Sequence, residues 1–376
     1  MPSLLPELDP GGLLEYSVVF TDRSLNHMSQ RFQQAMRDIS TTLRKVYNGN
    51  AVALVPGGGT YAMESVARQF ATDRSTLVVR NGFFSYRWTQ IFETGAIPAS
   101  SSVLKARRSG DGAHAAFAPP PIDEVVAAIR QEKPAVVFAP HVETASGIIL
   151  PDDYLRTLAA AVHEVDGLFV LDCIASGCIW IDMQDCGVDV LISAPQKGWS
   201  SSPSAGLVLF SDRALAAMQD TRSTSFALDL DKWLQIMRAY ENGGHAYHAT
   251  MPTDALLRFR DTMQECEKLG FAVLKEQQWQ LGQSVRALFS QYGFRSVAAA
   301  GFEAPGVAVF HADSDVLKSG APFQEKGLQV AAGVPLMCDE GNNYRSFRIG
   351  LFGLDKLQNV QRSVANLEQV LNAIAP

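Results

Sequence analysis

The chain has 376 residues, 47% of them hydrophobic and 19% charged, a balance that suits a buried core and argues against disorder. That length predicts two domains, or one large domain with a smaller partner. A net charge of −7 argues against nucleic acid or an anionic membrane surface as the main partner.

The segment 1–12 carries Glu7 and Asp9 and has no basic start followed by an apolar stretch, so no secretory signal is expected. No run approaches the ~18 apolar residues of a membrane span. The cysteines are Cys173, Cys178, Cys186, Cys266 and Cys338. They are odd in number and lack CxxC spacing, so neither a disulfide framework nor a structural metal site is expected. A reducing cytoplasm fits them.

Met28, Phe32, Ala35, Met36, Ile39 and Leu43 form a stripe of helical period and predict the first helix. Short β-rich runs then recur over 51–56, 76–81, 135–140, 168–172, 188–193 and 205–211. Helix-period segments separate them, one marked by Met63, Val66, Ala67 and Phe70, another by Tyr154, Leu155, Leu158 and Val162. Between these a loop begins near Arg108 and ends in the Pro-rich stretch 118–121. The runs AVVF (135–138) and LFVL (168–171) are continuous rather than alternating. Such strands are buried on both faces, which predicts an α/β fold with a mostly parallel sheet between helices.

After Thr250 the texture changes. A helical region reaches Tyr292, strands follow over 306–311 and 346–351, and a last amphipathic helix carries Leu354, Leu357, Val360, Val364, Leu367 and Leu371. The expected division is a large domain over 1–255 and a smaller α+β domain over 256–376, on which the N-terminal segment can pack.

Four places carry chemistry. Gly57-Gly58-Gly59-Thr60 follows a strand and opens a helix, so free N–H groups and the positive helix end point at an anion. There is no GK[ST], which excludes a nucleotide P-loop, and a tight turn is the plainer alternative. Asp172 closes the apolar run LFVLD. In an open α/β sheet the ends of the strands border the ligand crevice; a helix cap or an ion pair is the competing role. Lys197 lies in SAPQKGW, again after an apolar strand. Most lysines are solvated, but one partly desolvated at such an edge can act as a nucleophile. Arg348, between Phe347 and Ile349, offers a fork of donors to a carboxylate or to an ion-pair partner.

The order glycine run, Asp, Lys, Arg resembles the fold-type-I pyridoxal 5′-phosphate (PLP) enzymes. Within them it resembles the class V aminotransferases of the alanine/serine–glyoxylate type, from about Val52 to Leu351. The resemblance implies a role for each matching residue. Gly58, Gly59 and Thr60 would hold the phosphate, and Phe84, after Asn81-Gly82, would stack on the cofactor where the family usually has Trp. Thr144, in HVETASG (141–147), would contact the ring. Asp172 would pair with the pyridine nitrogen and keep it protonated. Gln196 would touch the phosphate, and Lys197 would hold the cofactor as a Schiff base and carry the proton between carbons. Tyr247 and Thr250, in YHATMP, would reach the phosphate of a neighbouring subunit in a homodimer. Arg348 would bind the substrate α-carboxylate. Amino acid and small 2-oxo acid substrates in a ping-pong transamination complete the expectation. The glycine run lacks the family's serine and histidine, and the segment 13–30 lacks its Pro-Gly-Pro opening.

Three rivals remain at this level. A cysteine desulfurase or β-lyase on the same fold needs a mobile cysteine, and Cys338 is the candidate; Gln196 and Phe84 stand where such enzymes carry histidines. An NADP-dependent dehydrogenase would use Gly57, Gly59 and Ala62 as a relaxed dinucleotide fingerprint, with Arg80 at a 2′-phosphate. A binding protein that keeps the fold without catalysis is the third.

Overall fold

The computed structural model describes residues 8–374. Glu7, and both outer ends of the two expected domain ranges, lie outside the described residues. Seven strands form the main sheet: β1 (Ala51–Pro56), β2 (Ser75–Arg80), β3 (Ser100–Lys105), β4 (Val136–Pro140), β5 (Leu168–Asp172), β6 (Val190–Ser193) and β7 (Ala205–Phe210). Their order is β1-β7-β6-β5-β4-β2-β3. Only β7 is reversed: it pairs antiparallel with β1 and with β6, and the remaining pairs are parallel. The carboxyl ends of β1, β2, β4, β5 and β6 therefore share one edge. The fold is α/β with a mostly parallel sheet, as the continuous apolar runs require; β4, β5, β6 and β7 are buried along their whole length.

Strand β3 has no counterpart in the sequence reading. Its sequence SSSVLK is half-exposed because it pairs with β2 alone, at the sheet edge. An edge strand needs no continuous apolar run, so the pattern was absent.

Helices α1 (Gln30–Tyr47), α2 (Gly59–Phe70), α3 (Phe83–Gly95), α4 (Ile122–Glu132), α5 (Asp152–Glu164) and α6 (Leu230–Glu241) flank the sheet. In α1 the Ser29 hydroxyl accepts from Phe32 N, and Asn48 closes the helix in the left-handed conformation. Phe32, Ala35, Met36, Ile39 and Leu43 are its buried stripe. The expected helical region after Thr250 is two helices, α7 (Thr253–Leu269) and α8 (Phe271–Gln291), broken at Gly270 with φ +92°. Three more strands, β8 (Val307–His311), β9 (Ala331–Ala332) and β10 (Ser346–Gly350), form an antiparallel sheet in the order β8-β10-β9. Phe289 of α8 stacks on Phe310 with centroids 4.5 Å apart, and the final helix α9 (Val360–Ile374) buries Leu367 and Leu371.

Two glycines set the spacing around Lys197. A Cβ at Gly206 would lie 2.3 Å from Ala62 Cβ, so β7 lies hard against α2. A Cβ at Gly198 would lie 2.1 Å from the Gly177 carbonyl oxygen, so the loop carrying Lys197 rests on the loop after β5. Backbone cannot yield as a side chain can. Gly198→Ala should therefore cost about 1–3 kcal/mol through overpacking. Chemical denaturation checks this, and an unchanged midpoint would show that the two loops are not in contact.

Candidate active site

Gly57, at the end of β1, has φ +120°, a conformation open to glycine. Helix α2 starts at Gly59, whose added Cβ would lie 2.4 Å from Ile174 Cδ1. The start of α2 thus abuts the loop that follows Asp172. In its first turn Tyr61 N donates to Gly58 O at 3.0 Å, while the N–H groups of Gly59 and Thr60 have no helix acceptor.

At the end of β2, Gly82 caps α3 and Phe84 lies in the first turn. Glu143 fixes this turn. It is fully buried and accepts from Ser85 N at 2.8 Å, Ser85 Oγ at 2.7 Å, Phe84 N at 3.2 Å and Ala145 N at 2.9 Å. A carboxylate at a helix N-terminus meets both free donors and the positive dipole end. The Phe84 ring that this cap positions lies 5.2 Å from the Arg87 guanidinium and 5.5 Å from that of Arg348. Thr144, next to Glu143, is buried.

Asp172 ends β5 with 8% exposure, and its Oδ1 accepts from Ile174 N at 2.9 Å. It forms no ion pair among the described residues. Burial pushes its carboxyl up to about 6, and the neighbouring Glu143 adds to the rise. The capping role weighed for Asp172 uses one oxygen only. Lys197 Nζ lies 5.1 Å from the Phe352 ring centroid. Burial lowers its pKa, the Arg348 charge lowers it further, and Asp172 pulls the other way. Gln196 beside it leaves Oε1 buried without a partner.

Arg348 comes from β10, where it faces Val309 and Ala331 in register. Its Nε donates to Ala332 O at 2.9 Å, and it meets no carboxylate among the described residues. Burial lowers its pKa, and Glu143 opposes that shift. The small sheet therefore delivers an uncompensated guanidinium to the ring at the end of β2.

Lys197, Asp172, Phe84 and Arg348 thus converge, with Gly58, Gly59, Thr60, Thr144 and Gln196 in the same edge loops. Tyr247 and Thr250 do not join them within one chain. They bond to each other at 3.1 Å, and Tyr247 is 53% exposed. Two residues of this region escaped the sequence reading. Glu143 was read only as part of a motif, and Arg87 lies one helical turn after Phe84, a spacing that could have singled it out.

The same geometry removes the support for two rivals. Cys338 is 5% exposed, its Sγ donates to Arg80 O at 3.4 Å, and burial pushes its thiol up to about 12. That is an inert thiol rather than a mobile nucleophile. Arg80, proposed for a 2′-phosphate, is buried and donates to Thr89 Oγ1 at 2.7 Å and Met337 O at 3.2 Å.

The family model for aminotransferase class-V matches residues 14–337. The chain belongs to the class V aminotransferase family. An alanine–glyoxylate aminotransferase of Felis catus is 29% identical over 251 residues, 64% of this chain and 56% of the cat protein. A 2-aminoethylphosphonate–pyruvate transaminase of Salmonella enteritidis is 26% identical over 330 residues, 85% of this chain and 83% of that one. A crystal structure of an alanine–glyoxylate aminotransferase from Nostoc sp. superposes with TM-score 0.77 at 22% identity, covering 92% of this chain and 89% of the other. This class V aminotransferase is a PLP-dependent transaminase of fold type I.

The residues present fit that cofactor. Asp172 is a buried carboxylate that accepts from Ile174 N with one oxygen, which leaves the other for a protonated ring nitrogen. The start of α2 offers the free N–H donors of Gly59 and Thr60 to a phosphate.

The raised Asp172 pKa has a testable sign. The folded value, about 6, exceeds the ordinary carboxyl value, so the native state holds this proton more tightly. Its contribution to stability is full below the unfolded pKa and is lost as pH rises through about 6. Above that, ionised Asp172 costs the cofactor-free protein about 3 kcal/mol. Cofactor-free Asp172→Asn should therefore melt above cofactor-free wild type near pH 8 and level with it near pH 4. An Asn variant that melts lower near pH 8 would contradict the assignment.

Proposed function

We propose that Lys197 and Asp172 are the catalytic pair of this transaminase and that Arg348 receives the substrate α-carboxylate. We further propose that Gly58, Gly59, Thr60, Phe84, Thr144 and Gln196 hold the cofactor. The observation that carries the reading is the meeting of Lys197, Asp172 and Arg348, none of them ion-paired among the described residues, around Phe84 and Phe352.

When bound, PLP supplies an aldehyde that exchanges amino groups and a ring that accepts the electron pair of the substrate Cα–H bond. Asp172 Oδ would accept from the ring nitrogen, whose positive charge would favour the ionised carboxylate. Lys197 Nζ, whose charged form burial and the Arg348 charge disfavour, would take the α-proton as general base and return it on the other side of the transfer. Arg348 orients the amino acid by its carboxylate with a bidentate fork. Phe84 covers a ring face and keeps water from the reacting carbon.

The donor is a small amino acid and the acceptor a small 2-oxo acid such as glyoxylate or pyruvate; the names of the cat and Salmonella relatives support that range. The working form is a homodimer in which Tyr247 and Thr250, exposed in one chain, serve the neighbour's phosphate. The chain divides near residue 255 into a large and a small domain. The enzyme acts in the cytoplasm, a reading supported by five unpaired, buried cysteines. Among the described residues no helix is long and apolar enough to cross a membrane.

The holoenzyme should be yellow, should bleach when a donor such as alanine or serine is added without a 2-oxo acid, and should regain its colour with pyruvate or glyoxylate. A band that persists with every amino acid would exclude transamination. Arg348→Ala should raise KM for carboxylate substrates roughly ten- to hundredfold, the loss of a charge-assisted contact. An unchanged KM would place the carboxylate elsewhere.

A further inference from the structure

We propose that Arg87 is a positioning residue for the phosphate end of the site, orienting the Thr60 hydroxyl and adding a positive charge before the first turn of α2. This rests on the reading of Gly58, Gly59 and Thr60 as the phosphate cradle.

Three consecutive glycines, Gly57 to Gly59, give that turn no side-chain donor. A Cβ at Gly58 would meet nothing within 4 Å, so space lies open at the start of α2. Thr60 is the first residue there with a hydroxyl. Arg87 Nη1 donates to Thr60 Oγ1 at 2.9 Å. A hydroxyl that accepts from a guanidinium turns its own proton outward, free for an anion.

The rest of the Arg87 guanidinium is uncommitted. It forms no ion pair among the described residues, whereas Arg68, Arg156 and Arg345 each meet a carboxylate within 2.8 Å. Arg87 follows Phe84 by three residues in α3 and lies over the same ring, so its position is set by the turn that Glu143 caps. Arg87 and Arg348 are both within 5.5 Å of the Phe84 ring, and Lys197 is close enough to feel both charges. Arg87, Arg348 and Lys197 converge there, and the carboxylates near them are Asp172 and Glu143, the latter already bonded to the first turn of α3 and to Ala145 N. Such a cluster is repulsive until anions enter it. Arg348 accounts for one anion, the substrate carboxylate. Arg87, bound to Thr60 at the start of α2, accounts for the other.

The test compares two ligands that differ only in the anion: PLP and pyridoxal. Cofactor-free protein is titrated with each and followed by absorbance. Arg87→Met should weaken PLP roughly ten- to hundredfold while leaving pyridoxal within about twofold. Arg87→Lys should recover part of the loss, and Arg87→Met should cost less on a Thr60→Val background than on wild type. Equal weakening of both ligands would make Arg87 a merely structural residue and overturn the inference. PLP affinity unchanged with a raised substrate KM would assign Arg87 to a substrate anion and also overturn it. A wild-type protein that binds pyridoxal as tightly as PLP would instead refute the phosphate cradle itself.

Discussion

Ionisable groups withdrawn from water demand partners, and around one edge of its sheet this chain withdraws three that form no ion pair among the described residues. Asp172, Lys197 and Arg348 all have pKa values displaced first by burial. A protein built only for stability would pair them or expose them. On the proposed reading, each group would meet its partner in another molecule: a protonated ring, an aldehyde, a carboxylate. The site is thus a set of unmet demands held in place by residues whose own demands are met.

Glu143 shows how the holding is done. Its buried carboxylate takes four donors from the first turn of α3 and the following loop. That fixes Phe84 and, one turn on, Arg87. The parallel strands do the rest: they place the ends of β1, β2, β4, β5 and β6 at one edge, where the loops that follow them can face a single ligand. The small sheet adds the one contribution that the edge lacks, the guanidinium of Arg348.

Much of this was legible in the sequence because the buried strands advertise themselves. LFVLD and AVVF have no polar position to confuse them with half-exposed strands, and the residues after them fall at the edge by topology alone. Strand β3 was illegible for the opposite reason: as an edge strand it can be SSSVLK. The break at Gly270 was hidden because a helical stripe resumes at once on the other side. Lys197, Asp172 and Arg348 stood out through their place in apolar runs. Arg87 did not, since an arginine in a helix is ordinarily a solvated surface residue; only its approach to Thr60 and Phe84 distinguishes it. Tyr247 and Thr250, which the resemblance sends to a neighbouring subunit, bond to each other within one chain.

The claim on which the account rests is that Lys197 carries the cofactor. Reduction of the holoenzyme with borohydride, followed by proteolysis and mass spectrometry of the peptides, reads that directly. The account predicts a single pyridoxyl group on Lys197 and none in Lys197→Ala. A pyridoxyl group on another lysine, or none on any lysine of the wild type, would contradict it.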